Sequence, residues 1–368
     1  MAPTPAFKTV LIVFSIYLLQ KERFALANTV VCNDTDENFS KYDVVNGVHG
    51  IGKDISYAQW NKNPPPQNVI ISPLRNEVEI SIYTRLFPDK EFTILNSFSD
   101  VSETSYLSEV ESLDYVNFPN ASTERINNWV SDSTNGKIDK VFYQPLSPLT
   151  VCVIANVIFL NATWLNQFNS DSTRDGNFYT GTETITIPMM NRQMYVPYMR
   201  FDNERFEMIS LPYVGNRSSM YILKPINGNN LKQLESTLTL NNLNTFISQM
   251  QSQKMDVTIP RMKLSFELHL KDDLLALGVN DIFYRESADF SRFTALQGVF
   301  VSAIAHKALL EVTEAGTVAA AVTVAVIGTT SIPPAFVLNE PSLIYIRDNF
   351  ECLSIFYAKV MNPEPLLD

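Results

Sequence analysis

Residues that could carry catalysis are sparse in this chain. Its three histidines, His49, His269 and His306, stand in no paired metal-ligand spacing. The zinc-protease pattern, a Gly-x-Ser-x-Gly nucleophile elbow and a phosphate-binding Gly-rich loop followed by Lys-Ser/Thr are all missing. No enzyme activity, metal or cofactor is therefore expected. The informative segment carries no titratable group at all. Between Glu314 and Glu340 lie twenty-five consecutive uncharged residues, opening Gly316-Thr317-Val318-Ala319-Ala320-Ala321-Val322-Thr323 and closing Thr330-Ser331-Ile332-Pro333-Pro334 before Phe336. Small and β-branched residues suit a half-buried pleated surface, and Thr317, Ala319, Ala321 and Thr323 share one face because strand side chains alternate. The stretch is about twice the usual strand length of five to six residues. Pro333, Pro334 and the density of Thr and Ser argue against a membrane-spanning helix, and the β-branched content argues against a disordered linker. It reads as a strand with no obvious place in a sheet.

The flanks give it a context. Upstream runs His306-Lys307-Ala308-Leu309-Leu310-Glu311-Val312-Thr313-Glu314-Ala315-Gly316-Thr317, and downstream Phe336-Val337-Leu338-Asn339-Glu340-Pro341 leads to a final apolar hairpin. Further signposts are Asn68-Val69-Ile70-Ile71-Ser72-Pro73-Leu74, Ala155-Asn156-Val157-Ile158-Phe159-Leu160-Asn161-Ala162-Thr163-Trp164, Leu211-Pro212-Tyr213 and Leu277-Gly278-Val279-Asn280-Asp281-Ile282-Phe283. In this order and spacing they closely resemble the serpins, the serine protease inhibitor superfamily. The resemblance implies an α+β fold with a large, mainly antiparallel sheet, two further sheets, surrounding helices and an exposed reactive-centre loop, here about 315–334.

It also implies a mechanism and a set of roles. A target serine protease cuts the loop as a substrate and forms an acyl-enzyme; the cut loop then inserts as a new strand and distorts the protease. Counting from Gly316 in the family's spacing places the cut bond at Thr330-Ser331, with Thr329-Thr330 as the close alternative. Glu314, Gly316, Thr317, Ala319, Ala320 and Ala321 match the hinge of inhibitory members, where the entering residues must be small or β-branched and uncharged. Arg261 matches the basic residue that latches Glu314. Ser72, Asn156 and His306 match a hydrogen-bonded group near the middle of the large sheet. A Thr before the bond and the absence of Lys or Arg from the loop point to an elastase-like protease rather than a trypsin-like one.

The elements that must position these residues are partly legible. Arg75 to Phe87 resembles an outer strand of the large sheet, so most of the second helix and the next two are expected to be missing after Leu74. A helix around Phe92 to Leu107 has apolar residues at nearly helical spacing, and another at about Ser122 to Ser133 puts Ile126, Trp129 and Val130 on one face before Asn135-Gly136. In serpins this second helix lies across the sheet and must yield during insertion. Loss of the buried helix would bare apolar sheet surface and favour association. A non-inhibitory binding or storage protein, or a splice product, is therefore the alternative.

The bulk properties allow one large domain or two ordinary ones. The chain has 368 residues and is 45% hydrophobic, with no linker dividing it. Its 28 basic residues are scattered among 39 acidic ones, which disfavours nucleic acid or a strong heparin site. No membrane partner is expected, and the chain should be monomeric unless the missing helices promote association. Lys8, the apolar run Val10 to Leu19 and Ala25-Leu26-Ala27 resemble a signal peptide over 1–27. A flexible acidic segment would follow over 28–41, then the main domain over 42–368. Asn33, Asn38, Asn120, Asn161 and Asn216 head Asn-x-Ser/Thr sites, as expected of a secreted, extracellular glycoprotein. Cys152 reads as a buried thiol, while pairing with Cys32 or Cys352 stays open. Protein recovered from eukaryotic culture medium should begin at Asn28 on N-terminal sequencing; an intact Met1 with only intracellular protein would defeat the export reading.

Overall fold

The computed structural model describes residues 69–71, 79–106, 108–228, 230–316, 332–350 and 352–366. Segments 1–27 and 28–41, Asn33, Asn38, Ser72 and the loop residues Thr317, Ala319, Ala320, Ala321, Thr330 and Ser331 lie outside them. In chain order the first strands are β1 (Val69–Ile71), β2 (Glu79–Pro88), β3 (Glu109–Val110), β4 (Cys152–Asn161) and β5 (Arg174–Tyr179). Next come β6 (Thr184–Phe201), β7 (Phe206–Pro212), β8 (Ser218–Pro225), β9 (Gln251–Pro260) and β10 (Met262–His269). The last are β11 (Ala303–Val312), β12 (Ala335–Val337), β13 (Ser342–Asp348), β14 (Leu353–Val360) and β15 (Glu364–Pro365). The described α-helices are α1 (Asn96–Tyr106), α2 (Pro119–Ser133), α3 (Leu231–Thr237), α4 (Leu240–Gln249) and α5 (Lys271–Ala276).

The described strands form two sheets. One has six strands in the order β15-β10-β11-β4-β2-β3; the other has nine, β1-β14-β13-β8-β7-β6-β9-β12, with β5 also on β6. The two further sheets expected from the sequence are thus continuous. The cause is β6, whose 18 residues pair β5 over 184–189, β9 over 189–198 and β7 over 198–201. Only seven residues separate the end of β1 at Ile71 from the start of β2 at Glu79.

By internal contacts the chain divides into two units. The first contains residues 81–159 and 267–308. Its core gathers Leu86, Ile154, Phe283, Phe293, Val301 and Ile304, among others. Helix α1 starts later than its apolar spacing suggests. Ile94 is drawn into a bridge with Thr294, and the Leu95 amide donates to the Phe293 carbonyl at 2.9 Å, so the chain is extended before the helix begins. Helix α2 starts earlier, at Pro119, because a proline in the first turn gives up no needed hydrogen bond. Its buried face is Ile126, Trp129 and Val130, and Trp129 packs edge-on to Phe87 of β2 at 5.5 Å. Glu111 ties this packing down, accepting from Arg85 at 2.7 Å and from Arg125 of α2 at 2.6 Å.

Bare apolar surface is not found on the two strands where it would matter most. The apolar side chains of β4 and β11 are buried, with Phe159 and Ala303 half-buried. Cys152, at the start of β4, is free and wholly enclosed, and burial pushes its thiol up to about 12.

The second unit contains 160–266 and 309–366, together with β1. Strands β7, β8 and β13 are buried along nearly their whole length, as expected when both faces of a sheet are covered. Phe201, Phe206, Leu223, Leu234, Leu343 and Tyr357 belong to one core there. Against that core α3 brings Glu235, which is fully buried, to 2.9 Å from the buried Lys359 ammonium on β14, while the Tyr357 hydroxyl donates to the same carboxylate at 2.5 Å. Burial pushes the Lys359 ammonium down to about 8, although Glu235 opposes that shift.

Removing one partner of this pair strands the other charge, so Lys359→Met should cost about 3–5 kcal/mol in denaturant unfolding, and adding Glu235→Gln should recover much of it. The pH dependence has a definite sign. An ammonium depressed by folding is a cost fully present below about 8 and relieved as pH rises toward its ordinary value of 10.5. Wild type should therefore gain stability relative to the double variant across that window.

Candidate functional site

Strand β11 does not run on after Val312. It closes into a four-residue turn, Thr313 to Gly316, with the Thr313 amide donating to the Gly316 carbonyl at 2.7 Å and the Gly316 amide returning to the Thr313 carbonyl at 3.2 Å. The Thr313 hydroxyl adds a bond to the Gly316 carbonyl at 2.8 Å. Gly316 has φ +141° and bridges Thr163. A Cβ there would fall onto the Ala162 carbonyl oxygen and come within 2.7 Å of Thr163 Cα and 2.8 Å of the Trp164 nitrogen. The position needs glycine both for its backbone angle and for this approach.

The chain after β4 receives the turn carbonyl by carbonyl. Trp164 donates from its amide to Ala315 at 2.9 Å and from its indole nitrogen to Thr313 at 3.0 Å, and the Phe168 amide donates to Glu314 at 2.8 Å. The indole is itself fixed, stacked on Tyr213 at 4.6 Å with 6° between the planes. On the other side of the turn, the Glu314 carboxylate accepts from the Thr173 hydroxyl at 2.7 Å and meets Arg261 Nε at 3.4 Å. Both side chains of this ion pair are largely buried.

Further down β11, His306 is buried. Asn156 donates through Nδ2 to the Thr84 hydroxyl at 2.6 Å, so its Oδ1, 2.9 Å from His306 Nδ1, accepts the ring proton. Side chains from β11, β4 and β2 are linked in this way. A buried polar chain of this kind specifies strand register, because any slip leaves its groups without partners.

Thr84, Phe168, Thr173 and the Trp164–Tyr213 stack were not singled out by role from the sequence. Trp164 and Tyr213 belong to the Ala155–Trp164 and Leu211–Tyr213 motifs, so their type is visible in the sequence; Phe168 acts through its backbone and leaves no side-chain signal. Asn120 is exposed in the first turn of α2, and Asn216 is exposed at φ +56° between β7 and β8. Asn161 closes β4. Among the described residues no cluster of His, Cys, Asp or Glu is arranged to hold a metal ion, and no helix is long and apolar enough to cross a membrane.

The model of one family, described as serpin (serine protease inhibitor), matches residues 67–363. Human Serpin B3 is 33% identical over 293 residues, covering 77% of this chain and 75% of that protein. A serine protease inhibitor of Cyanea capillata is 33% identical over 281 residues, covering 75% and 74%. The crystal structure of human thyroxine-binding globulin shares the fold with a TM-score of 0.77 at 23% identity, over 87% of this chain and 99% of that one. The chain belongs to the serpin family, whose fold it has and whose general activity is protease inhibition.

Gly316→Ala tests the turn directly. The added methyl must displace the Ala162–Trp164 backbone or force the turn open, at about 1–3 kcal/mol. A lower midpoint in denaturant unfolding is expected, whereas an unchanged midpoint would mean that the close approach is dispensable.

Proposed function

We propose that this protein is a secreted inhibitor of an elastase-like serine protease and acts as a suicide substrate, by cleavage at Thr330-Ser331 and insertion of the loop into the six-stranded sheet. The observation that carries the reading is the turn at Thr313–Gly316. It ends β11, which lies between β10 and β4 in the sheet and is followed by a long uncharged stretch of strand-forming residues. Beyond the turn the uncharged stretch could fold back and enter between β11 and β4, where its backbone groups would find ladder partners on both sides. Insertion of a cut loop is a form of strand addition that releases stored strain. About ten new backbone bonds at a net of roughly 1 kcal/mol each amount to about ten kcal/mol, comparable to the stability of a domain.

In this reading Arg261 and Thr173 hold Glu314 until the loop is cut, and Asn156, His306 and Thr84 keep the central strands in register while letting them part. Ile332, 96% exposed, follows the proposed bond and is open to a protease. Secretion rests on the N-terminal leader pattern and on Cys352, which is disulfide-bonded, a state favoured by oxidising compartments.

The short β1–β2 connection favours a second reading, a non-inhibitory serpin whose loop is cut without effect. Mixing with pancreatic elastase separates the two. The inhibitor should give a complex stable on a denaturing gel and release a C-terminal peptide beginning at Ser331; cleavage without complex supports the second reading. Thr317→Arg, which forces a charge into the path of insertion, should be cut at the same bond but accumulate as cleaved protein. An undiminished complex with that variant would remove the insertion step.

A further inference from the structure

The far leg of the loop returns to the fold through β12, which pairs in parallel with β9 over three residues and ends the nine-strand order. The Asp256 amide donates to the Pro334 carbonyl at 2.9 Å and the Leu338 amide to the Thr258 carbonyl at 2.9 Å. Backbone groups alternate in direction along a strand, so Pro334, Phe336 and Leu338 turn theirs toward β9, and Ala335 and Val337 turn theirs to the open edge. Unpaired edge carbonyls are a liability that proteins cover. Here the Val337 carbonyl accepts from Lys224 Nζ at 2.8 Å.

Lys224 is a buried residue of β8. Its ammonium pairs with Glu207 at 2.8 Å, directly across the β7–β8 ladder, and lies 5.3 Å from the centre of the Phe336 ring. Glu207 is in turn held by the Tyr198 hydroxyl at 2.7 Å. Packing does not require this charge. An apolar side chain of similar volume avoids the desolvation cost, and replacing a buried ion pair by such groups is often neutral or stabilising. What the ammonium adds is direction, a donor aimed at one backbone oxygen of β12 and a cation beside its one buried ring.

We propose that Lys224 is a positioning residue for the distal leg of the loop: by gripping Val337 and Phe336 it fixes the register of β12 on β9, and so fixes which bond ahead of Ile332 a protease receives. Only Pro333 and Pro334 separate Ile332 from β12, and proline rings lock φ, so a shift of the strand is passed on rather than absorbed. The inference deepens the loop-cleavage reading and rests on it. Its test, however, needs only that the loop be cut.

The full-length protein would be compared with three variants. Glu207→Gln/Lys224→Met removes both charges together and strands neither, Tyr198→Phe loosens Glu207 mildly, and Lys224→Arg keeps the cation and donor. Limited digestion with pancreatic elastase, read by the masses of the C-terminal peptides, gives the distribution of cut bonds. Amide exchange at Phe336 and Leu338 gives the security of β12. The double variant should exchange there about tenfold faster, the loss expected for roughly one hydrogen bond, with β13 and β14 unchanged. Its cuts should spread from one bond to its neighbours. Tyr198→Phe should move the same way by less, and Lys224→Arg should behave as wild type. Unchanged exchange in the double variant and in Tyr198→Phe overturns the grip, and faster exchange with cuts still confined to one bond overturns the positioning role. Wild type that is cut but forms no complex refutes inhibition while leaving this comparison readable.

Discussion

At Gly316 two backbones lie so close that a side chain has no room between them, and the geometry of the loop base follows from that approach. It brings the carbonyls of Thr313, Glu314 and Ala315 within reach of amide and indole donors on Trp164 and Phe168. It also sets the Glu314 carboxylate between Thr173 and Arg261. An exposed ion pair contributes about 0–1 kcal/mol, but this one is largely enclosed and joined to a hydroxyl, so its value lies in holding a conformation already fixed by backbone bonds. The bonds are the same in kind as those of a sheet ladder.

Each leg of the loop is held by backbone hydrogen bonds and by a largely buried ion pair. The leading leg is held by backbone and indole hydrogen bonds at the turn together with the Glu314 carboxylate set between Thr173 and Arg261. The far leg pairs with β9 through its backbone and in addition meets a buried cation, Lys224, which bonds the Val337 carbonyl and pairs with Glu207.

The sequence made the architecture legible wherever a motif carries its own residue types. Arg261, Glu314, Asn156 and His306 could be picked out because neighbouring motifs place them, and the buried face of α2 could be read from the spacing of Ile126, Trp129 and Val130. Serpin membership followed from the order of those motifs. Other features left no such trace. The start of α1 was displaced by a bridge to Thr294, two hundred residues away in sequence. The merging of two sheets depends on β6 pairing with three partners along its length, a property of register rather than composition. Phe168 contributes an amide that every residue but proline carries. Lys224 looked like one more scattered basic residue, because nothing local tells a buried lysine from an exposed one.

Cys152 gives this scaffold an internal clock. Its thiol is fully enclosed at the start of β4, the neighbour of β11 in the six-stranded sheet, and burial holds it protonated. Since only the thiolate of an accessible cysteine reacts with alkylating reagents, the rate at which Cys152 becomes modified measures how often that part of the sheet opens. The protein thus carries its own chronometer for sheet breathing, with no label to be engineered into the core.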